Sequence, residues 1–517
     1  MVSSTRPDIP TDIWLYISYF IPHKELRDLY SVNSTFLQLA LNERYQDVDF
    51  LQVNPRTLRF LEHVRDPNIA SRVRRLRVNP VWFKLHASSV KTSLPNRSNI
   101  MRRIKSEFER RLDFTNRMAN AKQQRETIDA LTISVVNLFP NITSFVIVTR
   151  YFPHPHSLPH FLFNSWRTFG SNLTRLTINA PLGGFEPLLP STAELTSLQE
   201  LTLRFSTDMT SGDEALDTHT LNHTIAPFLR TLAPKLRRLN IMSSALGDHS
   251  GLFGALGHFP RLTALSLDIG FYPPLLVDPA GLTDFLRRNT PSLKHVRFQP
   301  HESFRSPSIL GPAYNHFSQW MAGNAEDIEL LGGLQSLVIS PSTDLSASAN
   351  LDTAGVYVLR SRDTLTSLVL GDRCLSFADL KALVGVFAHR PANSGLKTLY
   401  VKVISLNPQL FDLLAEKLPG LDDLDIKFNC LLADVEEERP CPSDDKAPGK
   451  SDIEAFLKQM SGRIYSQWSL YALWIWQRSH MTTKTAQDIL NSLKGSIPSV
   501  RVVCRMDHSH HLNTIFN

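Results

Sequence analysis

At 517 residues, with 42% apolar and 20% charged side chains, the chain has the composition of a soluble globular protein and material for two or three domains. Its most hydrophobic run, Leu470 to Trp476, is too short to span a bilayer, and the opening MVSSTRPDIP lacks the apolar stretch of a secretory signal. The net charge of +6 is concentrated: residues 51–130 hold 18 Lys/Arg against 7 Asp/Glu, whereas residues 1–50 hold 4 against 7.

In chain order, residues 9–45 come first. Ile13, Ile17, Phe20 and Ile21 share one face of a helix at 3.6 residues per turn. Pro10 suits the first helical turn, Asp12 lies near the positive helix end, and Pro22 stops the run. A second short helix carries Leu26 and Leu29. Asn33 or Ser34 is placed to cap a third, with Phe36, Leu37, Leu39 and Ala40. Three such helices cannot bury three apolar faces among themselves, so some of that surface goes to a neighbouring domain or a partner.

The order Ile-Pro-x-Asp-Ile, Phe-Ile-Pro, Glu-Leu-x-x-Leu and Val-x-x-x-Phe resembles the F-box, with Ile9 for the usual Leu and Phe36 for the usual Trp. The resemblance sets a helical domain at 7–45. The family's docking positions fall on Ile9, Pro10, Ile13, Ile17, Leu26, Leu29, Val32 and Phe36. Part of this set must instead hold the helices together, and sequence does not partition it.

Val73-Arg-Arg-Leu-Arg-Val introduces a second pattern. It returns as Ile142-Thr-Ser-Phe-Val-Ile, then at Leu173, Leu198, Leu236, Leu262, Leu293, Leu334, Leu365, Leu396 and Leu421, with Leu470 and Ile497 as late copies. From 142 to 421 the spacing is 25 to 41 residues, a leucine-rich-repeat signature. Several copies follow a helical pattern closed by proline, as at Pro234, Pro291 and Pro419, which separates helix from strand. The expected fold is therefore α/β: a helical N-terminus followed by a degenerate solenoid over 142–510, with parallel strands on a concave face and helices on a convex one. Residues 46–141 are expected to hold a linker, a first repeat and a basic amphipathic helix through Ile100, Ile104, Phe108 and Leu112. The acidic, Pro-rich stretch 434–450 reads as a disordered loop.

Catalytic patterns are missing: there is no GxxxxGK[ST], GxSxG or HExxH, and no cofactor or metal is expected. Asp507-His508-Ser-His510-His511 reads as a solvated tail and Cys374 as a buried thiol. The four cysteines have no CxxC spacing and fit a reducing compartment, cytoplasmic and/or nuclear. Trp468, Tyr471, Trp474 and Trp476 read as packing for the last repeats. Arg72, Arg74, Arg75 and Arg77, with Arg102, Arg103, Arg110 and Arg111, read as a solvated basic face; phosphate contacts by them are the weaker alternative.

Period-two alternation points the third, fifth and seventh repeat positions away from the core. This gives Arg175 and Thr177, Glu200 and Arg204, Arg238 and Asn240, His295 and Arg297, Tyr400 and Lys402, Asp423 and Asp425. The middle of the face would be basic and its C-terminal end acidic, an arrangement that selects a partner's charge pattern. Taken whole, the chain resembles the F-box/leucine-rich-repeat proteins, and its first fifty residues look like the large families of mushroom-forming fungi. The resemblance implies a non-catalytic substrate receptor of an SCF-type ubiquitin ligase. Its partners would be a Skp-type adaptor, through it a cullin and a RING subunit, and an unidentified protein substrate, with no membrane. An interaction scaffold without a degradation role is the alternative, and a nucleic-acid-associated protein a weaker one.

Overall fold

The computed structural model describes residues 9–51, 55–79, 136–149, 157–206, 213–300, 310–327, 330–339, 351–388, 390, 395–435, 449–477 and 483–504. The expected basic helix through Ile100–Leu112, the histidines at 508–511 and most of the acidic loop lie outside these residues. The chain divides into two compact units, Met1–Gly212 and Asp213–Asn517.

The first unit opens with three helices, α1 (Thr11–Ser18), α2 (His23–Leu26, continued by a 3-10 turn Arg27–Leu29) and α3 (Ser34–Tyr45). Five strands follow: β1 (Asp47–Phe50), β2 (Arg75–Val78), β3 (Ser144–Val148), β4 (Arg175–Pro181) and β5 (Glu200–Ser206). Each pairs parallel with the next in sequence. Val48, Leu76, Phe145, Leu176 and Leu201 stand in register as one buried row; Phe50, Val78, Ile147, Ile178 and Leu203 form the next. Helix Ser157–Phe169 packs Trp166 and Phe169 edge-on against Phe145, with centroids 5.2 and 5.3 Å away.

In the second unit the strands are β6 (Arg238–Ser243), β7 (Ala264–Asp268), β8 (His295–Phe298), β9 (Ser336–Ile339) and β10 (Ser367–Leu375). They continue with β11 (Thr398–Leu406), β12 (Asp423–Leu431), β13 (Ala472–Gln477) and β14 (Val502–Cys504). Again every strand pairs parallel with its sequence neighbour. Leu239, Leu265, Val296, Leu337, Leu368, Leu399, Leu424 and Leu473 are the fourth residues of successive copies and form one buried row in register. Each unit is thus a helix-and-strand repeat stacked in sequence order, in which no copy buries its apolar face alone.

Local chemistry explains the regularity. The second motif position is often Thr, and its hydroxyl donates to the carbonyl one repeat back: Thr174 to Thr143 (3.1 Å), Thr263 to Arg237 (3.2 Å) and Thr366 to Gln335 (3.1 Å). Helices Ala226–Leu232, Ala280–Asn289 and Pro408–Lys417 end where the prolines dictate. Gly281 allows its helix to lie against the preceding one; a Cβ there would stand 2.7 Å from the Gly254 nitrogen. Asn289, fully buried, accepts from the Phe259 N–H and donates to the Phe285 carbonyl, both at 2.7 Å.

Three expectations need correction. Strand β1 was not anticipated: Tyr45, Val48 and Phe50 fill the leucine positions of a copy that precedes the first one recognised. The last copy starts three residues later than Ile497, because Ala472 pairs with Val502 and Leu473 with Val503. Finally, the stretch 434–450 is not all loop, since Lys450 begins helix Lys450–Ser461 behind Gly449. Among the described residues, no helix is long and apolar enough to cross a membrane.

Candidate functional site: an apolar face on the N-terminal helices

Helix α1 buries none of its side chains. Pro10 is its cap rather than a member of its first turn; the Pro10 carbonyl accepts from the Ile13 and Trp14 amides at 3.1 and 3.3 Å. The Pro22 carbonyl likewise starts α2, accepting from Glu25 and Leu26 at 2.9 and 3.0 Å. Asn33 caps α3 as its residue type predicts, its side chain accepting from the Phe36 N–H at 2.9 Å. Phe36 is 2% exposed and Leu26 6%, and Trp14 meets Phe36 edge-on at 5.4 Å.

That geometry partitions the eight positions singled out by the sequence resemblance. Leu26 and Phe36 face inward and tie the helices together, so they are not part of an exposed face. Ile17 and Leu29 are half-buried, while Ile9, Pro10, Ile13 and Val32 are exposed. Six further side chains join the exposed set: Leu15, Tyr16, Tyr19, Phe20, Tyr30 and Leu37. Of these, the helical periodicity marked Phe20 and Leu37 as apolar positions but assigned neither to docking. Among the described residues, nine of the fifteen exposed large hydrophobics lie between Ile9 and Leu37. Single exposed hydrophobics are ordinary; their concentration in one short stretch is what sets these helices apart.

Arg72, Arg74, Arg75 and Arg77, the described members of the expected basic face, make contacts within their own unit. Arg72 donates to the side chains of Gln38 and Asn42 on α3. Arg74 reaches the Asn141 carbonyl at 3.3 Å, and Arg75 and Arg77 pair with Asp47 and Asp49 on β1 at 3.4 and 3.8 Å.

The outward strand positions fall into separate groups. In the first unit Arg175 pairs with Glu200 at 3.1 Å, Thr177 is half-buried and Arg204 is exposed. In the second, Arg238, Asn240 and His295 are half-buried on β6 and β8. Burial, then Arg238 and Lys294, hold the His295 imidazole below its ordinary pKa. Arg297 donates to Gln299, and the Asp268 carboxylate supports its charge against burial. Further along, Tyr400 stands in register with Asp425, and Thr398 with Asp423.

Two of these positions are not solvated as alternation alone implies: Lys402 is 2% exposed and Asp425 7%. The C-terminal aromatics also divide. Trp468 is core, donating to the Leu418 carbonyl at 3.0 Å, and Tyr471 is exposed. Trp474 and Trp476 are half-buried on the outward face of β13, at the places paired with Asp425 and Lys427. Strand alternation from Leu473 and Ile475 could have placed them there.

A buried imidazole lies elsewhere in the second unit: the His249 Nδ1 donates to the Leu275 carbonyl at 3.0 Å, and burial lowers its pKa. Cys374, a free thiol, is half-buried and accepts from the Asn429 side-chain amide at 3.3 Å. Among the described residues, no three His, Cys, Asp or Glu side chains converge to hold a metal ion. Compared with known protein-family models and with curated proteins, the chain matches none.

Proposed function

We propose that this chain is a substrate-recognition subunit of an SCF-type ubiquitin ligase. In this reading the N-terminal helices dock on a Skp-type adaptor, which joins a cullin and a RING subunit, and the strand-and-helix repeats hold a protein substrate. The observation that carries it is the apolar face of α1 and its neighbours, exposed on the same short stretch whose sequence resembles the F-box. A set of leucine-rich repeats beside it supplies an extended face for a second protein. The chain itself performs no bond chemistry; its contribution is to bring substrate and ubiquitin-transfer machinery together.

The test is co-purification of the tagged full chain with the Skp adaptor and cullin. Recovery of both, lost when Ile13→Asp and Tyr16→Asp are introduced together, is the expected result. A wild-type chain that recovers no adaptor overturns the reading, and adaptor without cullin points to a scaffold without a degradation role.

A further inference from the structure

In the second unit, helix Glu214–Thr220 runs through a π turn, Leu221–Ile225, into helix Ala226–Leu232. Such wide turns recur at functional sites. This one carries a histidine pair: His219 lies in the last turn of the first helix and His223 within the π turn. Residues four apart on a helix are neighbours. Both rings are exposed, with their centres 4.4 Å apart and their planes inclined by 38°.

Packing does not call for histidine at either place. The inward side of the turn is made by Leu221 and Ile225, both buried, and by Asn222, which lies against Gly251 of the next helix. Among the described residues, no hydrogen bond occupies the ring nitrogens of His219 or His223. The surrounding charge is of one sign. From Asp213 to Leu229 the chain holds three carboxylates, Asp213, Glu214 and Asp217, and no Lys or Arg. Asp248 is also near, its N–H donating to the Thr218 hydroxyl at 3.0 Å. A field of that sign draws a cation to the pair.

The spacing of the rings suits one kind of cation. Two imidazoles that share an ion, each nitrogen about 2.1 Å from it and the two subtending roughly 90–110°, have ring centres roughly 4.5–5.2 Å apart. The observed separation is just short of that range, within reach of a small side-chain rotation. We infer that His219 and His223 form a two-histidine site for a divalent transition-metal ion of the zinc, nickel or copper class, for which imidazole is a suitable ligand. No third His, Cys, Asp or Glu joins them among the described residues, so the remaining positions fall to water or to a donor from a second molecule. The site is independent of the receptor reading.

The experiment is calorimetric titration of the full chain with zinc chloride at pH 7, beside electron paramagnetic resonance with one equivalent of copper(II). The chain holds 18 histidines, so both are read as differences. The starting background carries His508→Ala, His510→Ala and His511→Ala, which silences the close-set histidines of the tail. In that background, His219→Ala and His223→Ala should each weaken one zinc equivalent by at least about tenfold, the scale on which even outer-shell partners of a metal count. Copper should bind more tightly than zinc, with a spectrum that shows two coupled nitrogens in the background chain and one in either variant. Urea midpoints should stay the same in both variants, because neither ring is buried. Equal zinc uptake by the background chain and the double variant, or the same copper spectrum from both, overturns the inference. A loss confined to one of the two variants overturns it as well, since it marks a single-histidine contact.

Discussion

Asp425 and His249 are both held uncharged by burial, and they give stability opposite pH trends. The folded Asp425 carboxyl keeps its proton up to about 8, whereas in the unfolded chain it loses it near the ordinary 3.8. Between those values the folded state binds the extra proton, so this contribution is full below pH 4 and is lost as pH rises toward 8. The steepest slope is about 1.4 kcal/mol per pH unit. For His249 the folded pKa lies below 6.5, so the unfolded chain binds the extra proton and stability falls as pH drops beneath that value. Urea midpoints measured from pH 6.5 to 8 should decline for the wild type and flatten for Asp425→Asn. A decline of equal size in the variant would remove Asp425 as its source. Only part of this was legible in the sequence. Alternation placed Asp425 and Lys402 on the outward face, but burial on that face depends on how much the neighbouring Tyr, Trp and Lys side chains cover, which no periodicity encodes.

At the scale of elements, the three N-terminal helices separate packing from presentation. Phe36→Ala removes a buried ring and should lower stability by about 3–5 kcal/mol. Asn33→Ala strips the cap of α3, at about 1 kcal/mol. Tyr16→Ser changes an exposed position and should shift stability by less than about 0.5 kcal/mol while weakening adaptor capture. Urea denaturation beside adaptor pull-down reads both quantities; a large loss of stability in Tyr16→Ser would mean that α1 packs where it is exposed here. Asn33 was readable as one of two candidate caps because it acts through its own backbone neighbours, whereas Pro10 was read as a first-turn residue and Pro22 only as the end of α1. Strand β1 was hidden because Tyr45, Val48 and Phe50 do the work of leucines. The slip at β14 has a different origin. The residue three places before a copy is also buried, as Leu418 is before Leu421, so Ile497 before Val500 mimics the start of a repeat.

Across each unit, every strand pairs with its neighbours in sequence, so energetic coupling is to adjacent repeats first. Leu424→Ala on β12 should cost about 2–5 kcal/mol. Its effect on amide exchange should centre on β11–β13 and leave β6–β8 protected. Uniform loss of protection over β6–β14 would show that the unit opens only as a whole. The repeat architecture was the most legible feature of the sequence, since a row of buried leucines in register requires the same spacing in every copy. The clustering of outward side chains was less so: Arg238, His295 and Arg297 belong to one end of the second unit's strand order, Tyr400, Asp423 and Asp425 to the other, and the sequence shows their order but not their burial.

The pairing of β2 with β3 has a consequence for how register is kept. Val78 and Ser144 are far apart in the chain, yet Arg75 to Val78 align with Ser144 to Ile147 as closely as any strands separated by a short connection. The register of these two strands therefore does not depend on a short connection between them: the buried pairs Leu76–Phe145 and Val78–Ile147 specify it. Exchanging the charged Arg75 or Arg77 for another polar residue should leave that register in place, whereas a one-residue slip would turn the slipped strand's apolar side chains to the other face.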